Sequence, residues 1–209
     1  LADRVVTPVH HNMPPDAYRF FTDNNAWRLP YGDGHLFVWS WGQGPTVVLM
    51  HGWQGRAAHF NKFVGPMLDA GLRVVAFDGP AHGFSSGQRS NIFDFVVALE
   101  AVADAVGPLA GIVAHAFAVP AAVMAARHGL AVPKMVFVAP SVRLVRDQAV
   151  LARRLGLAEP PVRAMRRRLA RWFDISLDEL DTDRLIDGWA PNERASMMVV
   201  HDRDDRRVP

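Results

Sequence analysis

A chain of 209 residues and 23.1 kDa has the size of one domain, or of one domain carrying a small insertion. Half of it is hydrophobic and 21% is charged, which excludes a disordered chain, and the absence of cysteine excludes disulfides, thiolate metal sites and cysteine nucleophiles. The net charge is +2, and the fourteen Arg that follow Pro140 stand among twelve Asp or Glu, so a salt-laced surface is expected and no nucleic-acid partner. No run reaches the roughly 18 apolar residues of a membrane span, and Leu1-Ala2-Asp3-Arg4 opens neither a basic nor an apolar leader. A cytoplasmic protein without a membrane partner is the expectation.

In chain order, residues 26–29 and 35–41 flank the turn Pro30-Tyr31-Gly32-Asp33-Gly34. The second arm alternates Leu36, Val38 and Ser40 with Phe37, Trp39 and Trp41, the period of an antiparallel hairpin at a sheet edge. Five short runs follow at 46–50, 73–77, 111–114, 134–138 and 197–200. They are continuously apolar and rich in β-branched residues, the pattern of parallel strands covered on both faces. Helical stretches at 59–68, 93–106, 117–127 and 142–155 follow the first four. Strand alternating with helix predicts right-handed crossovers and an α/β layered fold.

From residue 141 the chain changes to Arg-rich amphipathic segments broken at Glu159-Pro160-Pro161. Residues 141–194 are therefore expected to form a helical cap. It would separate the first part of the core, 1–140, from the last strand and its loop, 195–209.

Ligands of an open α/β sheet bind beyond the carboxyl ends of the strands, so the residues that follow each run matter most. They are His51-Gly52-Trp53-Gln54-Gly55, Asp78-Gly79-Pro80-Ala81-His82-Gly83-Phe84-Ser85, Ala114-His115-Ala116-Phe117-Ala118, and 201–209, which begins His201-Asp202-Arg203-Asp204-Asp205. In this order and spacing the segments resemble the α/β-hydrolase superfamily, specifically its bacterial serine-esterase-like members. Any one of the motifs is weak; four in register are specific, and together they cover nearly the whole chain. The resemblance implies a mostly parallel sheet with helices on both faces, an N-terminal antiparallel hairpin and a helical cap insertion.

The resemblance also assigns roles. The family's nucleophile elbow, Gly-x-Ser-x-Gly, falls on Ala114 to Ala118, which puts Ala116 where the serine belongs. Its oxyanion hole, made of backbone N–H groups, falls on Trp53 and Phe117, and its acid falls on Asp205. The family's catalytic His, on a loop after one more strand, would come beyond Pro209, so the fold is expected to be truncated at its C-terminus. Without a serine and a base the acyl-transfer mechanism has neither nucleophile nor proton acceptor.

Each remaining candidate has a plainer reading. His51, Gly52, His115 and Phe84 are placed at the pocket, but His115 is more simply a side chain packed under the elbow. His51 and His82 more simply tie two loops together. Ser85 and Ser86 read as turn hydroxyls, and the Arg163 to Arg171 cluster reads as solvated surface. Trp53, Phe84, Phe117 and Met124 line a pocket or belong to the core. His201, Asp202, Asp204 and Asp205 are too close together on one loop to wrap a cation, so no metal and no cofactor is expected. If the elbow keeps its geometry, Ala116 must sit at positive φ, at a cost of about 1–2 kcal/mol.

Two functions follow. One is a serine hydrolase of ester-like carbonyl substrates, inactive or strongly impaired as the chain is written. The other is a non-catalytic protein that binds a small ester or carboxylate ligand in the old pocket, with a decayed remnant behind both. The apolar run at 197–200, left near a sheet edge, is expected to be covered by a partner subunit such as a second copy of the chain, by a swapped element, or by a longer natural chain.

Overall fold

The computed structural model describes residues 6–9, 21, 25–141, 163–164, 167, 171, 180–187, 189 and 195–205. The predicted hairpin forms from β1 (Ala26–Tyr31) and β2 (Gly34–Trp41), antiparallel, with Leu29 opposite Leu36. The five apolar runs become β3 (Thr46–Met50), β4 (Arg73–Asp78), β5 (Leu109–His115), β6 (Lys134–Val138) and β7 (Ser196–Val200). The sheet order is β1-β2-β4-β3-β5-β6-β7. Strand β2 lies antiparallel to β4, and every pair from β4 through β7 is parallel.

Helices occupy both faces. A 3₁₀ turn (Ala57–Phe60) leads into α1 (Asn61–Asp69), so the helix predicted from residue 59 is split at its start. Helix α2 (Ile92–Val106) begins at a capping box. The Asn91 side chain accepts the N–H groups of Phe93 and Asp94, while the Asp94 carboxylate accepts the Asn91 N–H at 2.9 Å. It ends at Gly107, whose φ of 85° suits a residue without Cβ. Helix α3 (Ala118–Arg127) follows the elbow, and a short α4 (Thr182–Asp187) packs against it. The helix expected at 142–155 and the Arg cluster at 163–171 lie wholly or largely outside the described residues, as does most of the expected cap.

The two faces hold two cores. One joins Leu36, Val38, Val48, Phe77 and Ile112 to α2, α3 and α4. The other joins Trp39, Trp41, Val47, Leu49 and Val74 to the 3₁₀ turn and α1. The alternation read in β2 divides in this way, with Leu36 and Val38 on one face and Trp39 and Trp41 on the other. The edge strand β7 leaves Met198, Val199 and Val200 exposed on its surface.

This topology places the site. Strand β3 lies between β4 and β5, and its own helix, α1, packs on one face while α3, the helix of β5, packs on the other. A crevice therefore opens between the carboxyl ends of β3 and β5, where the chain reverses its winding.

Candidate functional site

The register levels the strand ends. Met50 pairs with Phe77 on one side and with Ala114 on the other, which sets His51, Asp78 and His115 in one row along the carboxyl rim. Ala116 follows immediately, at φ 48°, in the left-handed region that a Cβ penalises. Its N–H donates to the Val138 carbonyl at 3.0 Å, and its own carbonyl accepts the N–H groups of Val119 and Ser141. The sharp strand-to-helix turn is thus held from both flanks, and the sequence expectation for Ala116 is met.

The glycine of the loop after β3 is required by this turn. A Cβ on Gly52 would come within 3.1 Å of the His115 carbonyl oxygen and 3.2 Å of the Ala116 methyl. Gly52 lets the loop close onto the elbow, and the Gly55 N–H turns back to the Gly52 carbonyl at 2.9 Å. The rings of Trp53 and Phe117 meet edge to face, with centroids 5.2 Å apart. Among the described residues, the hydrogen bonds of turns and caps leave the N–H groups of Trp53 and Phe117 without an acceptor. No side chain caps α3.

Beneath the loop tips lies a layer of buried acceptors. His51 is 1% exposed, and its Nε2 accepts the Gly79 N–H at 2.8 Å while Nδ1–H donates to the Gly52 carbonyl. His82 is 2% exposed, and its Nε2 accepts the Gln54 N–H at 3.1 Å while Nδ1–H donates to the Pro80 carbonyl. Both rings are consequently neutral Nδ1–H tautomers. Burial first, then the neighbouring His82, holds His51 well below the ordinary imidazole range. The Asp78 carboxylate accepts from Ala57 and Phe84, while burial pushes its pKa up to about 6.

The remaining candidates take the following places. His51 is buried, with both ring nitrogens used in tying loops. Phe84 is 44% exposed and packs on Phe37 and Trp39 at 5.4 and 6.3 Å. Its backbone N–H is drawn down to Asp78, and this turns the side chain toward the hairpin. Met124 is a core residue. Ser85 and Ser86 are turn hydroxyls, as read. Ser85 Oγ donates to the Asp78 carbonyl and accepts the Phe37 N–H, and Ser86 Oγ bonds His35 Nδ1 at 2.9 Å.

Other relationships were not read from sequence. His115 is half-buried, and desolvation lowers its pKa while the Asp205 carboxylate raises it, so the acid-loop residue lies within electrostatic reach of the elbow. Phe95 of α2 sits edge-on to His51, His82 and Phe117 at 5.3–5.5 Å. Its spacing in α2 is that of any core residue, so no sequence signal distinguished it. Thr182 Oγ1 donates to the Ser141 carbonyl, linking α4 through Ser141 to the elbow carbonyl of Ala116. Around Asp205 the loop is closed by its own bonds, Asp204 N–H to Asp202 Oδ1 and Asp205 N–H to Asp202 O.

Comparison with known proteins decides the family. The model of the alpha/beta hydrolase family matches residues 47–208, more than three-quarters of the chain. The chain belongs to the alpha/beta hydrolase family. It resembles a serine hydrolase-like protein of Danio rerio, 37% identical over 65 residues, a match that covers 31% of this chain and 20% of that protein. A human serine hydrolase-like protein is 40% identical over 55 residues, covering 25% of this chain and 27% of that one. The chain thus matches about a fifth to a quarter of the length of these curated relatives.

Among solved structures, the Pyrococcus furiosus esterase PF2001 aligns with a TM-score of 0.58 at 18% identity, over 78% of this chain and 67% of that one. The Butyrivibrio proteoclasticus protein Est1E, solved with ferulic acid bound, aligns with a TM-score of 0.54 at 15% identity, over 60% and 57%. These likenesses establish the alpha/beta hydrolase fold, and the mostly parallel sheet with its antiparallel N-terminal pair is that fold. Among the described residues no helix is long and apolar enough to cross a membrane, and no three His, Asp or Glu side chains converge as a metal-binding group.

Proposed function

We propose that this alpha/beta hydrolase binds small ester-like or carboxylate molecules between the loops after β3 and β5, and that it does not turn them over through position 116. The observation that carries this reading is Ala116 itself. It keeps the strained φ of 48° that exposes a nucleophile, yet presents a methyl group in place of one. The backbone donors of Trp53 and Phe117 do not depend on that side chain, so the loss of a hydroxyl leaves the carbonyl-binding half of the site in place. The names of the curated relatives and of the esterases sharing the fold support an ester-like ligand class. Fold alone does not choose the ligand.

In the acyl-transfer chemistry of serine hydrolases a hydroxyl adds to the carbonyl carbon, its proton passes to a base, and the carbonyl oxygen becomes an oxyanion. Here the last of these has its donors and the first has no atom to begin it. The test is fluorophosphonate labelling with peptide mapping, run beside 4-nitrophenyl acetate turnover and thermal shift with benzoate. The reading expects no label at position 116, turnover at the level of buffer, and a benzoate-dependent rise in Tm. Ester turnover well above buffer would sink the non-catalytic half of the reading. Absence of any benzoate stabilisation would sink the binding half.

A further inference from the structure

The two buried histidines are related reciprocally. His51 belongs to the loop after β3 and accepts an N–H of the loop after β4, that of Gly79, at 2.8 Å. His82 belongs to the loop after β4 and accepts an N–H of the loop after β3, that of Gln54, at 3.1 Å. Each ring spends its own Nδ1–H on a carbonyl of its home loop. The ring centroids lie 5.1 Å apart, and His82 also meets the Trp53 ring edge to face at 5.0 Å. Gln54, the residue next to Trp53, is itself held at φ 56°. The direction of the Trp53 N–H is therefore set by a pair of buried imidazoles.

We propose that His51 and His82 are positioning residues for the oxyanion loop, a two-way latch that holds only while both Nε2 atoms are unprotonated. A proton on Nε2 turns an acceptor into a donor facing another N–H. Neither bond survives that change, and a buried N–H is left without a partner. The inference deepens the proposed function, and rests on it, by giving that ligand site a proton-controlled entrance.

The groups around His51 favour its neutral state. His51 faces His82, His59 of the 3₁₀ turn and His115 of β5, each of which opposes its protonation. The Asp78 carboxylate of β4 is occupied by the N–H groups of Ala57 and Phe84, with Arg56 contributing opposite charge to it. From α2 the latch receives the uncharged ring of Phe95. Burial of His51 keeps it neutral through neutral pH, so release falls on the acid side of the ordinary imidazole range.

The experiment is NMR on the full chain between about pH 8 and pH 5, recording imidazole ¹⁵N shifts and amide exchange, with benzoate as the ligand probe. The latch expects both rings to be Nδ1–H tautomers at about pH 8. It expects Gln54 and Gly79 to lose protection together, by roughly tenfold or more, as the rings take up protons while Leu99 and Val102 of α2 stay protected. In His82→Gln the side-chain oxygen accepts the Gln54 N–H and does not titrate, so Gln54 stays protected in acid. An Nε2–H tautomer at the start would overturn the latch, and so would Gln54 and Gly79 amides that hold their protection while the rings protonate. Both readouts come from the unmutated protein and do not depend on the variant folding. Should benzoate move neither the Trp53 nor the Phe117 amide at any pH while Gln54 and Gly79 still release together, the latch stands and the ligand reading falls.

Discussion

Gly52 lies directly against Ala116: a Cβ at position 52 would meet the Ala116 methyl at 3.2 Å and the His115 carbonyl oxygen at 3.1 Å. Neither neighbour is the free end of a flexible side chain, so Gly52→Ala must lift the loop after β3 off the turn at Ala116. We expect a loss of about 1–3 kcal/mol in urea unfolding and loss of benzoate stabilisation. Gly65, inside α1 with nothing within 4 Å of its would-be Cβ, is the control. There Ala improves a helix interior, and Gly65→Ala should gain about 0.5–1 kcal/mol. If both changes destabilised equally, close approach at Gly52 would not be the reason for its glycine.

Ala116 carries strain that glycine would relieve. At φ 48° the Cβ costs about 1–2 kcal/mol, part of which Ala116→Gly returns to the greater freedom of the unfolded chain. A net gain of up to about 1 kcal/mol is expected. Ala116→Ser keeps the strain and should leave the urea midpoint close to unchanged. A large destabilisation by glycine would show that the left-handed backbone is not the strained element.

Asp78 holds the turn after β4 to the start of the 3₁₀ turn through two backbone N–H groups at 2.7 and 2.8 Å. Asp78→Asn turns one acceptor into a donor that faces an N–H, and about 1–3 kcal/mol should be lost. Gly83→Ala is the harsher change. It combines φ 51° with a Cβ that would overlap the Asp78 carboxylate, and we expect little folded protein on circular dichroism.

The pH dependence of stability separates two buried groups of opposite sign. The folded pKa of Asp78, about 6, lies above its ordinary 3.8. Between those values the fold holds a proton that the unfolded chain has released, so this group's contribution grows as pH falls from 6 and is lost as pH rises through 6. His51 is held below 6.5, so its contribution falls as pH drops below that value, where only the unfolded chain takes up the proton. Removing the first contribution with Asp78→Asn should make the decline on acidification steeper. Urea unfolding at about pH 7.5, 6 and 4.5 reads it, and an unchanged or shallower decline would contradict the assignment.

Much of the architecture was legible because its signals are local. The runs at 46–50 and 134–138 became β3 and β6 with those same bounds, since continuous β-branched stretches suit strands buried on both faces. The order of the loop motifs brought together segments that do meet in space: the Trp53 and Phe117 rings lie 5.2 Å apart, and Gly52 lies against Ala116. The packing of Phe84 on Phe37 and Trp39 was not legible, because the direction of a side chain in a turn depends on the path of the loop, and that path follows a bond to Asp78.

From sequence alone came the family and the parallel core, each carried by residue identity, short-range periodicity or spacing along the chain. The tertiary structure decided the rest: the persistence of the elbow strain, the close approach of Gly52, the edge-on Phe95 and the crossed bonds of His51 and His82. These depend on strands that are neighbours in the sheet but lie far apart in sequence. Where a buried imidazole or carboxylate ends up is set by which backbone N–H the fold brings to it, because a buried polar group without a partner is too costly to keep.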